Sequence, residues 1–105
     1  MARTLTPEGY VTACITDYLK LRGAWFYKTH GHLGQVPGIP DLVGIFRGRG
    51  FGIEVKVERP LNTPKQIAGF LSPEQRGHLL AIHRAGGMAL VATDVDDVIR
   101  AFEGS

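Results

Sequence analysis

One cysteine, Cys14, is all that the 105 residues contain. A lone thiol excludes a disulfide framework and a cysteine-based zinc site, and it points to a reducing cytoplasm. Charge of one sign is also scarce: twelve Lys and Arg against ten Asp and Glu leave +2. That balance permits a nucleic-acid partner without demanding one. The N-terminal Met1-Ala2-Arg3-Thr4 opens no apolar run long enough for a signal peptide or a membrane span, so a cytoplasmic protein with no membrane partner is expected. There is no internal repeat and no low-complexity tract. No Ser-His-Asp or Cys-His arrangement stands out. What remains, 44% hydrophobic and 21% charged residues, suits a folded chain that forms one domain over 1–105.

The periodicity predicts an order α-β-β-β-α-β-α. Thr6 caps a helix whose first turn takes Pro7; Val11, Cys14, Ile15, Tyr18 and Leu19 form its buried stripe, with Glu8 at the head. Trp25 to His30 is an aromatic strand, and the glycines and prolines between Gly31 and Pro40 make a loop. Asp41 to Phe46 and Phe51 to Val57 are two strands joined by a turn at Arg47-Gly48-Arg49-Gly50. Glu58 to Leu71 is long for a connection in a small domain and reads as a functional loop. Ser72 caps a second helix with Leu79, Leu80, Ile82 and His83 on its buried side. Met88 to Thr93 is a fourth strand, and Asp94 caps a last helix with Val95, Val98, Ile99 and Phe102 inward. The expected class is α/β, a mixed sheet flanked by helices.

Asp41, Glu54 and Lys56 are the residues in this frame that carry chemistry. If the hairpin closes on Gly48-Arg49, Val43 lies opposite Glu54 and Asp41 opposite Lys56. All three then share one sheet face, with the acids diagonal neighbours roughly 7–8 Å apart at the backbone. An odd number of loop residues would send Asp41 to the other face. Two carboxylates brought together repel, and a divalent ion removes the conflict. Mg²⁺, with Mn²⁺ as its substitute, would polarise a phosphoryl oxygen and acidify a bound water. Lys56 could steady the attacking water or the charge growing on phosphate, and the Val55 carbonyl could add an oxygen ligand. A metal-dependent phosphodiester hydrolase is the expectation; an exposed Glu-x-Lys pair on a solvated strand is the plain alternative.

Pro40-Asp41 followed by Glu54-Val55-Lys56 resembles the motif of the PD-(D/E)xK nuclease superfamily. The longer pattern of Val36 to Gly44, Ile53 to Lys56 and Ser72-Pro73-Glu74-Gln75 resembles its VRR-NUC branch, which includes small phage and bacterial proteins related to Holliday-junction resolvases. The resemblance implies a restriction-endonuclease-like αβββαβ core with an extra C-terminal helix. It implies Asp41, Glu54 and Glu8 at the metal, Lys56 and Gln75 in catalysis, and branched DNA such as a four-way junction cut by a homodimer. Glu8 has a second reading as an acid at the positive end of its helix, and Gln75 as the capping-box partner of Ser72. Lys28, His30, Arg47, Arg49, Arg59 and Lys65 are candidates for DNA phosphate contacts or for simple solvation. Trp25, Phe26 and Tyr27 could stack bases or pack in a core or dimer. A non-catalytic nucleic-acid-binding module on the same fold is the alternative function.

Overall fold

The structure is a computed structural model that describes residues 6–29, 36–56 and 71–104. His30, Arg59, Lys65 and most of the two long connections read from the sequence therefore lie outside the described residues. The elements are α1 (Pro7–Leu21), β1 (Trp25–Lys28), β2 (Leu42–Phe46), β3 (Arg49–Val55), α2 (Pro73–Arg84), β4 (Met88–Ala92) and α3 (Val95–Glu103). Among the described residues the expected order and class are met. The four strands form one mixed sheet in the order β1-β2-β3-β4, antiparallel except for the parallel β3–β4 pair. Among the described residues no helix is long and apolar enough to cross a membrane.

Each helix begins where a capping side chain can take an orphan amide. Thr6 Oγ1 accepts from the Gly9 N–H at 2.9 Å, Ser72 Oγ from Gln75 at 3.1 Å, and Asp94 Oδ1 from Asp97 at 3.2 Å. One face of the sheet makes the core. Leu42 and Phe46 of β2, Phe51, Ile53 and Val55 of β3, and Met88 and Ala92 of β4 pack there against Ile15 and Leu19 of α1 and Val98 and Phe102 of α3. Phe102 sits at its centre, 4.7 Å from the Phe46 ring and 5.3 Å from that of Phe51. Truncating such a ring to alanine costs about 3–5 kcal/mol. The opposite face carries α2, which contacts β3 and β4 but neither β1 nor β2 among the described residues.

Three expectations need correction. The hairpin closes on Arg47-Gly48, not Gly48-Arg49: Phe46 pairs with Arg49 and Leu42 with Ile53. Both loop residues have positive φ, +52° and +77°, the type I′ geometry whose twist matches the strands it joins. Arg49 consequently lies on β3 rather than in the turn. The pairing moves by two residues, an even number, so every side chain keeps its face. Secondly, Glu8 is exposed, as its place in the first turn of α1 allows; that helix packs on the core from Val11 onward, with Ile15 and Leu19 fully buried. Thirdly, Leu80 and His83 of α2 point outward, leaving Leu79 as the buried residue of that helix.

Candidate functional site

Asp41 lies one step beyond the Leu42–Ile53 pair, so the register carries it opposite Glu54. Three contacts fix it there. The Thr29 N–H donates to the Asp41 carbonyl at 2.9 Å. The Thr29 hydroxyl donates to the carbonyl of buried Pro40 at 2.6 Å. The Asp41 carboxylate in turn accepts from the Val55 N–H on β3, Oδ2 at 2.8 Å. The main chain of Asp41 is thus tied to the end of β1 and its side chain to the end of β3.

The stretch before Asp41 is seated on α2. Gly38 has φ +82°, and a Cβ there would lie 2.5 Å from the backbone of Glu74 and 2.7 Å from the Gln75 nitrogen. Only glycine allows that approach. It brings the first turn of α2 beside the two acids, where Gln75 does two jobs. Its Oε1 accepts from the Ser72 N–H at 2.9 Å, closing the capping box, and its Nε2 donates to Glu54 Oε2 at 3.1 Å. The cap settles which end of the amide faces which partner, because the Ser72 amide needs an acceptor. The capping and active-site readings of Gln75 are therefore compatible.

Glu54 is the buried charged residue among those described, 4% exposed. Lys56 Nζ stands 3.7 Å from its Oε2. Loss of water around the carboxyl, and next the negative charge of Asp41, push Glu54 up to about 7. Lys56 pulls in the opposite direction; a hydrogen bond with Asp41 and the charge of Glu8 add smaller upward pushes. A buried carboxyl pushed up by lost water and by the charge of a neighbouring acid marks a place built for a positive charge.

Glu8 reaches the same region from α1. With Asp41, Lys28, Thr12, Thr16 and Thr29 it lines a polar cleft of about 460 Å³ between α1 and the end of β1. Among the described residues, though, no group of three His, Cys, Asp or Glu side chains stands close enough to hold a metal ion. The donor set among the described residues is the Asp41–Glu54 pair, with one oxygen of each already fixed by protein donors. Such a set fits a hard cation that keeps much of its water. Arg47 and Arg49 lie at the far end of the hairpin. The Arg47 guanidinium covers the Phe46 ring at 5.1 Å, and Arg49 Nε donates to the Gly86 carbonyl at 2.8 Å.

Thr29 and Gly38 help hold the site together, yet neither is among the candidates that the sequence offers. Thr29 looked like one more strand residue, and nothing local announces that its hydroxyl reaches across to Pro40. Gly38 gave a legible signal, a glycine two residues before Pro-Asp, but its partner lies in α2.

The chain shares its fold with a solved structure described as a VRR_NUC domain. The two are 24% identical, the match covers 94% of this chain and 97% of the other, and the TM-score is 0.68. The resemblance read from the motifs is thereby met at the level of the fold. No protein-family model matches the chain, and neither does any curated protein.

Proposed function

We propose that this chain is a metal-dependent deoxyribonuclease of the VRR-NUC type that hydrolyses phosphodiester bonds, with branched DNA such as a four-way junction as substrate and a homodimer as the working form. The observation that carries the reading is Glu54: a buried carboxyl paired with Asp41 and touched by both Gln75 and Lys56. A residue with no task at that position would be apolar, like its neighbours Ile53 and Val55. Mg²⁺, or Mn²⁺ in its place, would supply Lewis acidity and a more acidic bound water. Asp41 and Glu54 would hold it, with the Val55 carbonyl and Glu8 as further oxygens. Lys56 places a cation beside the acids where charge grows on phosphate. Gln75 orients Glu54, and Lys28, in the cleft shared with Glu8, meets a neighbouring phosphate.

The test is cleavage of linear, flap and four-way DNA with and without Mg²⁺. The reading expects cutting only with the metal, lost in Asp41→Ala, Glu54→Ala and Lys56→Ala proteins that still fold. A Lys56→Ala protein that cuts a junction at the normal rate would sink it. Among the described residues no three acids gather closely enough to hold a metal, which favours a second reading, a nucleic-acid-binding module without catalysis. That reading expects DNA binding that ignores Mg²⁺ and survives Asp41→Ala.

A further inference from the structure

Among the described residues, α2 leaves open the part of the sheet face over β1 and β2, on the same side as Asp41 and Glu54. Two cross-strand pairs, Trp25 with Ile45 and Tyr27 with Val43, occupy that open half. Trp25 is 65% exposed and Tyr27 55%. Phe26, between them, turns to the core. Next to Ile45 on β3 comes Gly50. A Cβ on Gly50 would meet nothing nearer than the Gly44 carbonyl at 3.8 Å, and its φ is not positive. Neither packing nor backbone geometry calls for glycine there. The room above it is a cleft of about 540 Å³, with Trp25 and Ile45 on one side and Ile82 and Gly86 on the other. Arg49 is its one charged lining residue among those described, held at the rim by its bond to Gly86.

We infer that this cleft receives an unpaired base of a DNA strand, stacked on Trp25, while a phosphate of the same strand lies at Asp41 and Glu54. The inference rests on the nuclease reading and narrows its substrate to DNA with unpaired nucleotides near the cut. A slot with an aromatic wall and a glycine floor accepts any planar ring, and base–aromatic stacking tolerates any sequence. A lining with one cation and no acid suits a polyanion. Gly50 and Glu54 face the same way, four residues apart on β3, which is roughly 13 Å at the usual rise. That distance is about four nucleotides of a stacked strand at 3.4 Å each. Between them Pro40 and Ile82 close over Gly52, where a Cβ would lie 3.0 Å and 2.6 Å from their side chains. Base and phosphate would occupy separate compartments joined by the sugar-phosphate chain. A second copy of the protein fits less well: a two-fold contact on this face would bring two Arg49 side chains together and stand in front of the acids.

Trp25 is the sole tryptophan, so its fluorescence reports on the cleft directly. The full chain is titrated in EDTA with oligothymidylate and with a duplex of equal length. Oligothymidylate is expected to quench the emission saturably, with at least about tenfold more duplex needed for the same effect. Gly50→Val fills the cleft without touching Trp25, and a β-branched residue suits a strand. This variant is expected to bind the oligonucleotide about 5- to 150-fold more weakly and to lose the quench. Should it fail to fold, Trp25→Leu, followed by anisotropy of a labelled oligonucleotide, carries the same expectation. No quench in the unmodified protein, or unchanged affinity in the variant, overturns the inference. So does a dimer that Gly50→Val splits while oligonucleotide affinity stays put, since the cleft then belongs to a second copy. Quenching without any Mg²⁺-dependent cleavage removes the nuclease reading and keeps the base site; cleavage without quenching removes the base site alone.

Discussion

Glu54→Gln should make the metal-free protein more stable at pH 8 while abolishing its cleavage. Glu54 is almost wholly buried beside Asp41, and its carboxyl is pushed from 4.5 to about 7. The sign follows from proton counting. Between those two values the folded protein holds a proton that the unfolded chain has released, so stability falls as pH rises. The stability that protonated Glu54 contributes is fully present below 4.5 and lost as pH climbs through about 7. A displacement of that size corresponds to about 3 kcal/mol above pH 7, at 1.36 kcal/mol per unit. Glutamine keeps the shape and an oxygen that can accept from Gln75 and Lys56, but it has no charge to desolvate. For a chain of this length the gain converts to a rise in midpoint of about 12–24 °C at pH 8, at 4–8 °C per kcal/mol. The rise should shrink to near zero at pH 4. Thermal melts followed by circular dichroism in EDTA at the two pH values read it directly. Added Mg²⁺ should raise the midpoint of the unmodified protein at pH 8 and leave the variant where it was. A variant that melts lower at pH 8, or by the same margin at both pH values, would refute the account of Glu54 as a carboxylate held against its preference.

Three further outcomes test the scaffold of the site. Gly38→Ala places a methyl 2.5 Å from the Glu74 backbone at a φ of +82°, so it should cost about 2–4 kcal/mol in chemical denaturation and lower cleavage by lifting Asp41 away from Gln75. Thr29→Val removes the 2.6 Å bond to the Pro40 carbonyl at nearly constant volume; a loss of about 1–3 kcal/mol and a higher Mg²⁺ requirement are expected, with Thr29→Ser restoring both. Gly48→Ala should cost about 1–2 kcal/mol through its φ of +77° alone, since its Cβ meets nothing within 4 Å, whereas Gly50→Ala at an ordinary φ should stabilise by up to about 1 kcal/mol. Equal effects at the two glycines would contradict the Arg47-Gly48 turn.

The elements themselves were legible because their signals are local. Thr6, Ser72 and Asp94 each precede a stretch of helical period, and each caps its helix as read. The stripe ending in Phe102 buries that ring. The turn was misplaced by one residue because Gly48 fits either loop position, and no local rule says that Arg47 will take a left-handed φ. The face of Asp41 was nevertheless right, since a shift of two residues leaves parity unchanged. Glu8 is a different case. Helical spacing put it on the buried stripe, but in the first turn of α1 it is exposed and lines the cleft that Asp41 shares.

Composition, capping residues and hydrophobic period determined the order of elements, the class of fold and the sharing of one face by Asp41 and Glu54. Those properties depend on a residue and its near neighbours, or on the even-odd count along a hairpin. Tertiary structure alone decided that Glu54 is buried, that Gln75 reaches it from a helix twenty-one residues on while still capping that helix, and that Thr29 and Gly38 hold Asp41 in place. It also decided that α2 leaves Trp25 and Tyr27 uncovered. These facts arise from which surfaces meet when the sheet and helices pack. Desolvation and close approach are properties of that meeting, and no window of sequence contains them.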